Sequence, residues 1–283
     1  MIELLFILAF IWLVFAVIQD FRYREIANWL NFSLIIFALA IRAFYSAFSA
    51  DYRYILFGII GLAIGFILAN VFYYSRMFAG GDAKLLIALG AVIPFADTWR
   101  ENMLIGLIFI ASLLFIGGIY SLLYSSVLAY NSKTKFSSKF KQEFKKNKKY
   151  FYLALIVAIF IVLGAFYLNE WVFSIFALII FIFPWIYVYT KAVEEACMLK
   201  LVSVKNLTIG DWLVENITIK GKEITPHWEG LNERQLQLIQ KNYKKKVLIK
   251  QGIPFSLSFL LAFLVLIYIK YAMNGDWNLL GLF

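Results

Sequence analysis

The chain has 283 residues, 63% hydrophobic, 19% aromatic and only 16% charged, with a formal net charge of +10. A soluble domain averages about 45–50% apolar and about 25% charged residues, so the composition argues against a soluble enzyme, a disordered chain or a disulfide scaffold. An all-α polytopic membrane protein remains. Cys197 and His227 are each the only residue of their type. No internal disulfide or Cys-x-x-Cys zinc site can form, and a His-based metal site has poor support. No metal or cofactor is expected.

A bilayer core needs about 20 apolar residues of helix, and the sequence offers eight candidate spans: residues 2–19, 30–49, 55–74, 83–96, 103–130, 150–168, 171–190 and 254–272. The first carries Glu3, has no basic n-region and meets no small-x-small cleavage site before Asp20, so it reads as a retained span and not a signal peptide. The third contains Gly61-x-x-x-Gly65, a spacing for close helix packing within the chain. The fourth is short and begins in a Gly-Gly-Asp turn. Residues 1–130 thus form a membrane domain of five spans. A basic linker, 131–149, would rest on anionic lipid, and two further spans fill 150–190. Residues 191–253 form a small cytoplasmic α+β insertion. LVSVKNLTI and ENITIKGKEI read as strands, and Asn232 caps LNERQLQLIQKNYKKK, with Gln235 at the capping-box position. At about 60 residues this unit leans on the membrane domain. Residues 254–283 are the last span and an outer tail.

The charges orient these spans. With the N-terminus outside, the inner segments collect Arg22, Arg24, Arg76, eight lysines in 131–149 and eleven Lys/Arg in 191–253, whereas Arg42, Arg53, Arg100 and Lys270 fall at or near the outer side. The positive-inside rule then places both termini outside the plasma membrane. It also explains the net charge without nucleic acid as a partner.

Charges at membrane spans are costly and are functional candidates by default. Asp20 ends the first apolar run, in VFAVIQDFRYREIANWL, and Asp82 opens the fourth, in MFAGGDAKLLIALGAVIP. The topology puts both at the inner, cytoplasmic face. Asp82 lies at a helix start, where the dipole favours a carboxylate, and Asp20 at a helix end, where it does not. Two meeting carboxyls form a general acid/base pair. One takes a proton from an attacking water while the other hydrogen-bonds the scissile carbonyl, and the pair titrates as a unit. Gly80 and Gly81 permit positive φ and close backbone approach, so that a substrate strand could lie against them. Each residue also has a plainer reading: Asp82 as a helix N-cap, Asp20 as a solvated interfacial residue, Lys84 as a snorkelling lysine. Asp97, Glu101 and Glu170 belong to outer loops.

The run from Ala79 to Pro94 resembles the Gly-x-Gly-Asp-x-Lys-Leu-Leu segment of the prepilin peptidase family, a branch of the membrane-embedded Gly-x-Gly-Asp aspartic proteases. The run Gln19-Asp20-Phe21-Arg22 with Glu25-Ile26 and Asn28 resembles that family's first-aspartate segment, 62 residues upstream. The C-terminal part looks more like the archaeal preflagellin and prepilin peptidases. The resemblance implies Asp20 and Asp82 as the catalytic pair, Gly81 as the glycine before the second aspartate, and Lys84 as the motif lysine. Ala79 departs from the motif's first glycine, and Ala27 stands where proline is frequent. The cysteine-paired cytoplasmic domain of the bacterial enzymes is absent, so their methyltransferase activity is not implied. The implied activity is cleavage of the short basic leader of archaellin or type IV pilin-like precursors, which carry a class III signal peptide, at the cytoplasmic membrane face. Glu25, Glu194 and Glu195 are candidates to receive the basic leader. Two other readings are a presenilin-like or signal-peptide-peptidase-like intramembrane protease, and a transporter or assembly scaffold in which the aspartates bind a cation or cap helices.

Overall fold

The computed structural model describes residues 1–219 and 221–272. The helices are α1 (Ile2–Tyr23), α2 (Asn28–Ser49), α3 (Arg53–Tyr74), α4 (Gly80–Val92), α5 (Trp99–Asn131), α6 (Lys133–Tyr167), α7 (Phe173–Cys197), α8 (Glu233–Asn242) and α9 (Ser256–Ala272). Five short strands complete the described elements: β1 (Leu199–Val202), β2 (Trp212–Leu213), β3 (Ile217–Ile219), β4 (Lys222–Ile224) and β5 (Val247–Lys250). Six helices, α1, α2, α3, α5, α6 and α7, are long and apolar enough to cross a membrane. Among the described residues the expected count of eight full spans is not confirmed. α4 has 13 residues, and at about 1.5 Å per residue it falls well short of a hydrocarbon core about 30 Å thick. α9 has 17 described residues, and the outer tail expected beyond it lies outside the described residues.

The chain divides into two compact units, Met1–Leu122 with the residues from Ile253 onward, and Leu123–Gly252. The division falls inside α5, and α9 joins the N-terminal unit by packing on α1. That unit's core gathers Leu5, Leu13 and Ala16 of α1, Leu30 and Leu34 of α2, Leu85 and Leu89 of α4, and Phe259 and Phe263 of α9.

Within the first unit α4 packs closely on α3. A Cβ placed on Gly61 would overlap the Gly90 carbonyl oxygen, and one on Gly65 would lie 3.2 Å from Gly90 Cα. The Gly61-x-x-x-Gly65 pair therefore serves a contact inside the chain. Because α4 stops at Val92, before Pro94, its last carbonyls emerge amid apolar residues and need donors. Arg42 of α2 supplies them. Its side chain is fully buried, and it donates to the carbonyl oxygens of Ala91 at 2.8 Å, Val92 at 2.9 Å, Tyr54 at 3.1 Å and Pro94. Read from sequence as an outer-side topology charge, Arg42 is instead the C-terminal cap of α4. A cationic cap also suits the negative end of the helix dipole.

In the second unit, residues 133–149 are no separate linker segment; they form the first half of the 35-residue α6. At about 1.5 Å per residue α6 reaches about 50 Å, longer than a bilayer core. Its basic half carries Phe136, Phe140 and Phe144 toward aromatic partners, including Tyr189 and Trp185 of α7. After α7 the sheet runs β1-β5-β2, all antiparallel, with β3–β4 as a separate hairpin. The insertion has its own core, with Leu213, Ile217, Ile224, Ile239, Val247 and Ile249 buried together. Asn232 caps α8 and forms the full reciprocal box with Gln235. The helix ends at Asn242, short of the expected Lys246. Lys244–Lys246 lead into β5, a strand that sequence reading missed. β1 takes only the first residues of the anticipated strand, since Val204–Asn206 turn into a 3-10 helix.

Arg42→Met is expected to destabilise the protein by about 3 kcal/mol or more, because several buried carbonyls lose their donor at about 1–3 kcal/mol each. Thermal unfolding in detergent measures this, and Arg42→Lys should recover only part of the loss.

Candidate active site

Asp20 lies in the last turn of α1, 7% exposed. The helix ends there because Arg24 adopts a left-handed φ of 60° and returns its N–H to the Asp20 carbonyl. The following loop is braced, since Gln19 Oε1 accepts from the Ala27 N–H at 3.0 Å. Ala27, in extended conformation, then launches α2.

Asp82 is the third residue of α4 and is 9% exposed. Ala79 is the N-cap, and its backbone N–H is a hydrogen-bond partner of the Asp82 carboxyl. The expected Gly-Gly-Asp turn is therefore the first turn of the helix itself. This alters the reading of the glycines. Neither Gly80 nor Gly81 has positive φ, and both have room for a Cβ. The nearest atom to Gly80 would be Tyr73 Cε2 at 3.9 Å, and the nearest to Gly81 would be Ile26 at 3.6 Å. The fold does not demand glycine at either position.

The structure brings the two aspartates together. Asp82 lies within electrostatic range of Asp20, and no hydrogen bond joins the two side chains. Lys84 Nζ donates to Asn28 Oδ1 at 2.6 Å, tying the start of α4 to the start of α2. The two segments singled out from sequence thus meet through Lys84 and Asn28. Asn31, one turn beyond Asn28, is 2% exposed, and neither atom of its amide has a partner.

One partner of Asp20 had no signal in the local sequence. The backbone N–H of Ser256, the first residue of α9, donates to Asp20 Oδ2 at 3.0 Å across 236 residues of chain. Asp20, at the unfavourable end of its own helix dipole, is thereby met by the N-terminus of another helix. The only hint in sequence was the Ser256-Leu257-Ser258 pair of hydroxyls at the start of an apolar run.

Other sequence candidates lie elsewhere. Glu194 is bound by Lys250 at 2.6 Å and Lys191 at 3.2 Å, and Glu195 by Lys139 at 3.1 Å. These two carboxylates are engaged by the chain's own lysines. Glu25 is exposed on the loop that follows Asp20.

Residues 7–128 match the type IV leader peptidase family. The preflagellin peptidase of Methanococcus maripaludis is 36% identical over 89 residues, covering 31% of this chain and 38% of that protein. The preflagellin peptidase of Methanocaldococcus jannaschii is 37% identical over 89 residues, with the same two coverages. The chain therefore spans under two fifths of the length of these curated relatives. No solved structure matches. In residues 7–128, the segment that holds both aspartates, the chain is related to the type IV leader peptidase family.

Proposed function

We propose that the protein is a membrane aspartic endopeptidase that removes leaders from preflagellin-type precursors, with Asp20 and Asp82 as the catalytic pair. The observation that carries this reading is the convergence of two buried carboxyls, 62 residues apart within the matched segment, within electrostatic reach of each other. One carboxylate takes a proton from water as its oxygen bonds to the scissile carbonyl carbon. The other carboxyl gives its proton to the carbonyl oxygen, yielding a neutral tetrahedral diol. Collapse breaks the C–N bond as the proton held by the first aspartate passes to the departing amine, while one diol hydroxyl returns its proton to the second aspartate and the carboxyl product forms. Which aspartate begins protonated is a property of the pair. The water and the carboxyls supply every atom of this cycle.

The distribution of Lys and Arg along the sequence supports an orientation for the site. The lysines of 133–149 and of the insertion favour the cytoplasmic side, and Asp20 and Asp82 lie at the ends of α1 and α4 that this orientation turns toward the cytoplasm. A precursor with a short basic leader before an apolar helix suits the location, because the helix stays in lipid while the leader reaches water. Glu25 is positioned to meet the leader's charge. The space above Gly80 and Gly81 suits an extended substrate backbone, a reading supported by their unneeded conformational freedom.

Three outcomes test the proposal. In membranes supplied with a leader-bearing preflagellin, Asp20→Asn and Asp82→Asn should each lower cleavage by about 10²–10⁴-fold with insertion preserved. Retained cleavage in either variant removes the pair from the mechanism. Gly81→Ala should keep or raise thermal stability, by up to about 1 kcal/mol from helix propensity, while KM rises; an unchanged KM would separate Gly81 from substrate. Cysteines placed at residues 140 and 98 should be labelled from the cytoplasmic and the outer side respectively, and the reverse pattern overturns the orientation.

A further inference from the structure

The Ser256–Asp20 hydrogen bond gives α9 a part in the chemistry. Ser256 is 0% exposed, and its hydroxyl has no hydrogen-bond partner. Its N–H is one of the four that a helix start cannot satisfy internally, and it is spent on a carboxylate. The seat of this turn is shaped on several sides. Phe255, immediately before Ser256, packs on Phe78 at 5.5 Å between ring centroids, and Phe259 packs on the same ring at 5.7 Å. Phe78 immediately precedes Ala79, the N-cap of α4. On α5, Gly117 leaves room for the Phe255 ring; a Cβ there would lie 2.7 Å from Phe255 Cε2. The rings thus link the start of α9 to the start of the helix that bears Asp82, while the Ser256 N–H reaches Asp20.

We infer that Ser256 is a positioning residue of the aspartate pair: its backbone N–H fixes Oδ2 of Asp20 and leaves Oδ1 to meet the attacking water. This rests on the protease reading above and adds to it a fixed orientation for one carboxyl. The donor is the main chain, so the side chain at this position is dispensable while the N–H is not. A carboxyl turning freely about its Cβ–Cγ bond would hold the water in the attacking geometry for a smaller fraction of the time, and misplacement of a catalytic group by about 1 Å can cost about 10²-fold in rate.

The test uses the full chain in membranes with the leader-bearing precursor that separates wild type from Asp20→Asn and Asp82→Asn. Failure of wild type to cut that precursor, or continued cutting by an Asp variant, removes the protease reading and this inference with it. Given a cutting wild type, Ser256→Ala keeps the N–H and should preserve kcat and KM. Ser256→Pro removes the N–H at the first position of a helix, where proline is well accommodated, and should lower kcat by about 10²-fold with KM unchanged. Wild-type kcat in a folded Ser256→Pro protein overturns the inference. So does a loss in Ser256→Ala as large as that in Ser256→Pro, which would move the role to the hydroxyl. Should the proline variant not accumulate, replacing the Phe255–Ser256 amide by an ester deletes the same N–H and decides by the same criterion: a low kcat supports the role, and a wild-type kcat refutes it.

Discussion

The site depends on a helix too short to cross a membrane. α4 has 13 residues, and its C-terminal carbonyls emerge where water is scarce. Arg42 resolves this by placing one guanidinium against carbonyls of Ala91, Val92 and Pro94, and against Tyr54 at the start of α3. An arginine buried in apolar surroundings is expensive unless its donors are used, and here they bind backbone oxygens that would otherwise go unpaired. At the other end, Lys84 ties α4 to Asn28. Along its length, Gly90 fits between Gly61 and Gly65. Asp82 is held in place because α4 is fixed at both ends and along one side.

The same logic shows what the sequence could reveal. Asp20 and Asp82 were legible because a carboxylate at the edge of an apolar run is rare and carries its own signal. Asn232 and Gln235 were legible because a capping box is local and chemically specific. Arg42 was misread because its partners are backbone carbonyls, which leave no mark on residue identity. Ser256 was invisible for a related reason: it acts through its N–H, which any residue except proline would offer, toward a residue 236 positions away. The shortness of α4 could be suspected from Pro94, but the apolar run continues to Ala96 and concealed the end of the helix.

Charge carries two separate tasks in this chain. Most lysines sit on the basic half of α6 and on the insertion, and some close on nearby acids: Lys139 on Glu195, Lys191 and Lys250 on Glu194. Exposed pairs of this kind contribute little stability. Their consequence is that two of the acids near the end of α7 are already neutralised. Among the described residues, by contrast, no cation pairs with Asp20 or Asp82, and Asp20 accepts from the backbone N–H at the start of α9. A backbone N–H stabilises a carboxylate less strongly than a lysine partner would, which suits the proton exchange proposed for the pair.

The long sequence separation between Asp20 and its donor has a consequence for biosynthesis. The carboxyl leaves the ribosome early, whereas Ser256 follows 236 residues later, an interval of roughly 10–50 s at about 5–20 residues per second. Throughout that time Asp20, joined 62 residues later by Asp82, lacks the amide that it meets in the folded chain. On the proposed reading, the Asp20 carboxyl gains its orienting amide only when α9 docks on α1, and a chain released before Ser256 is made lacks it.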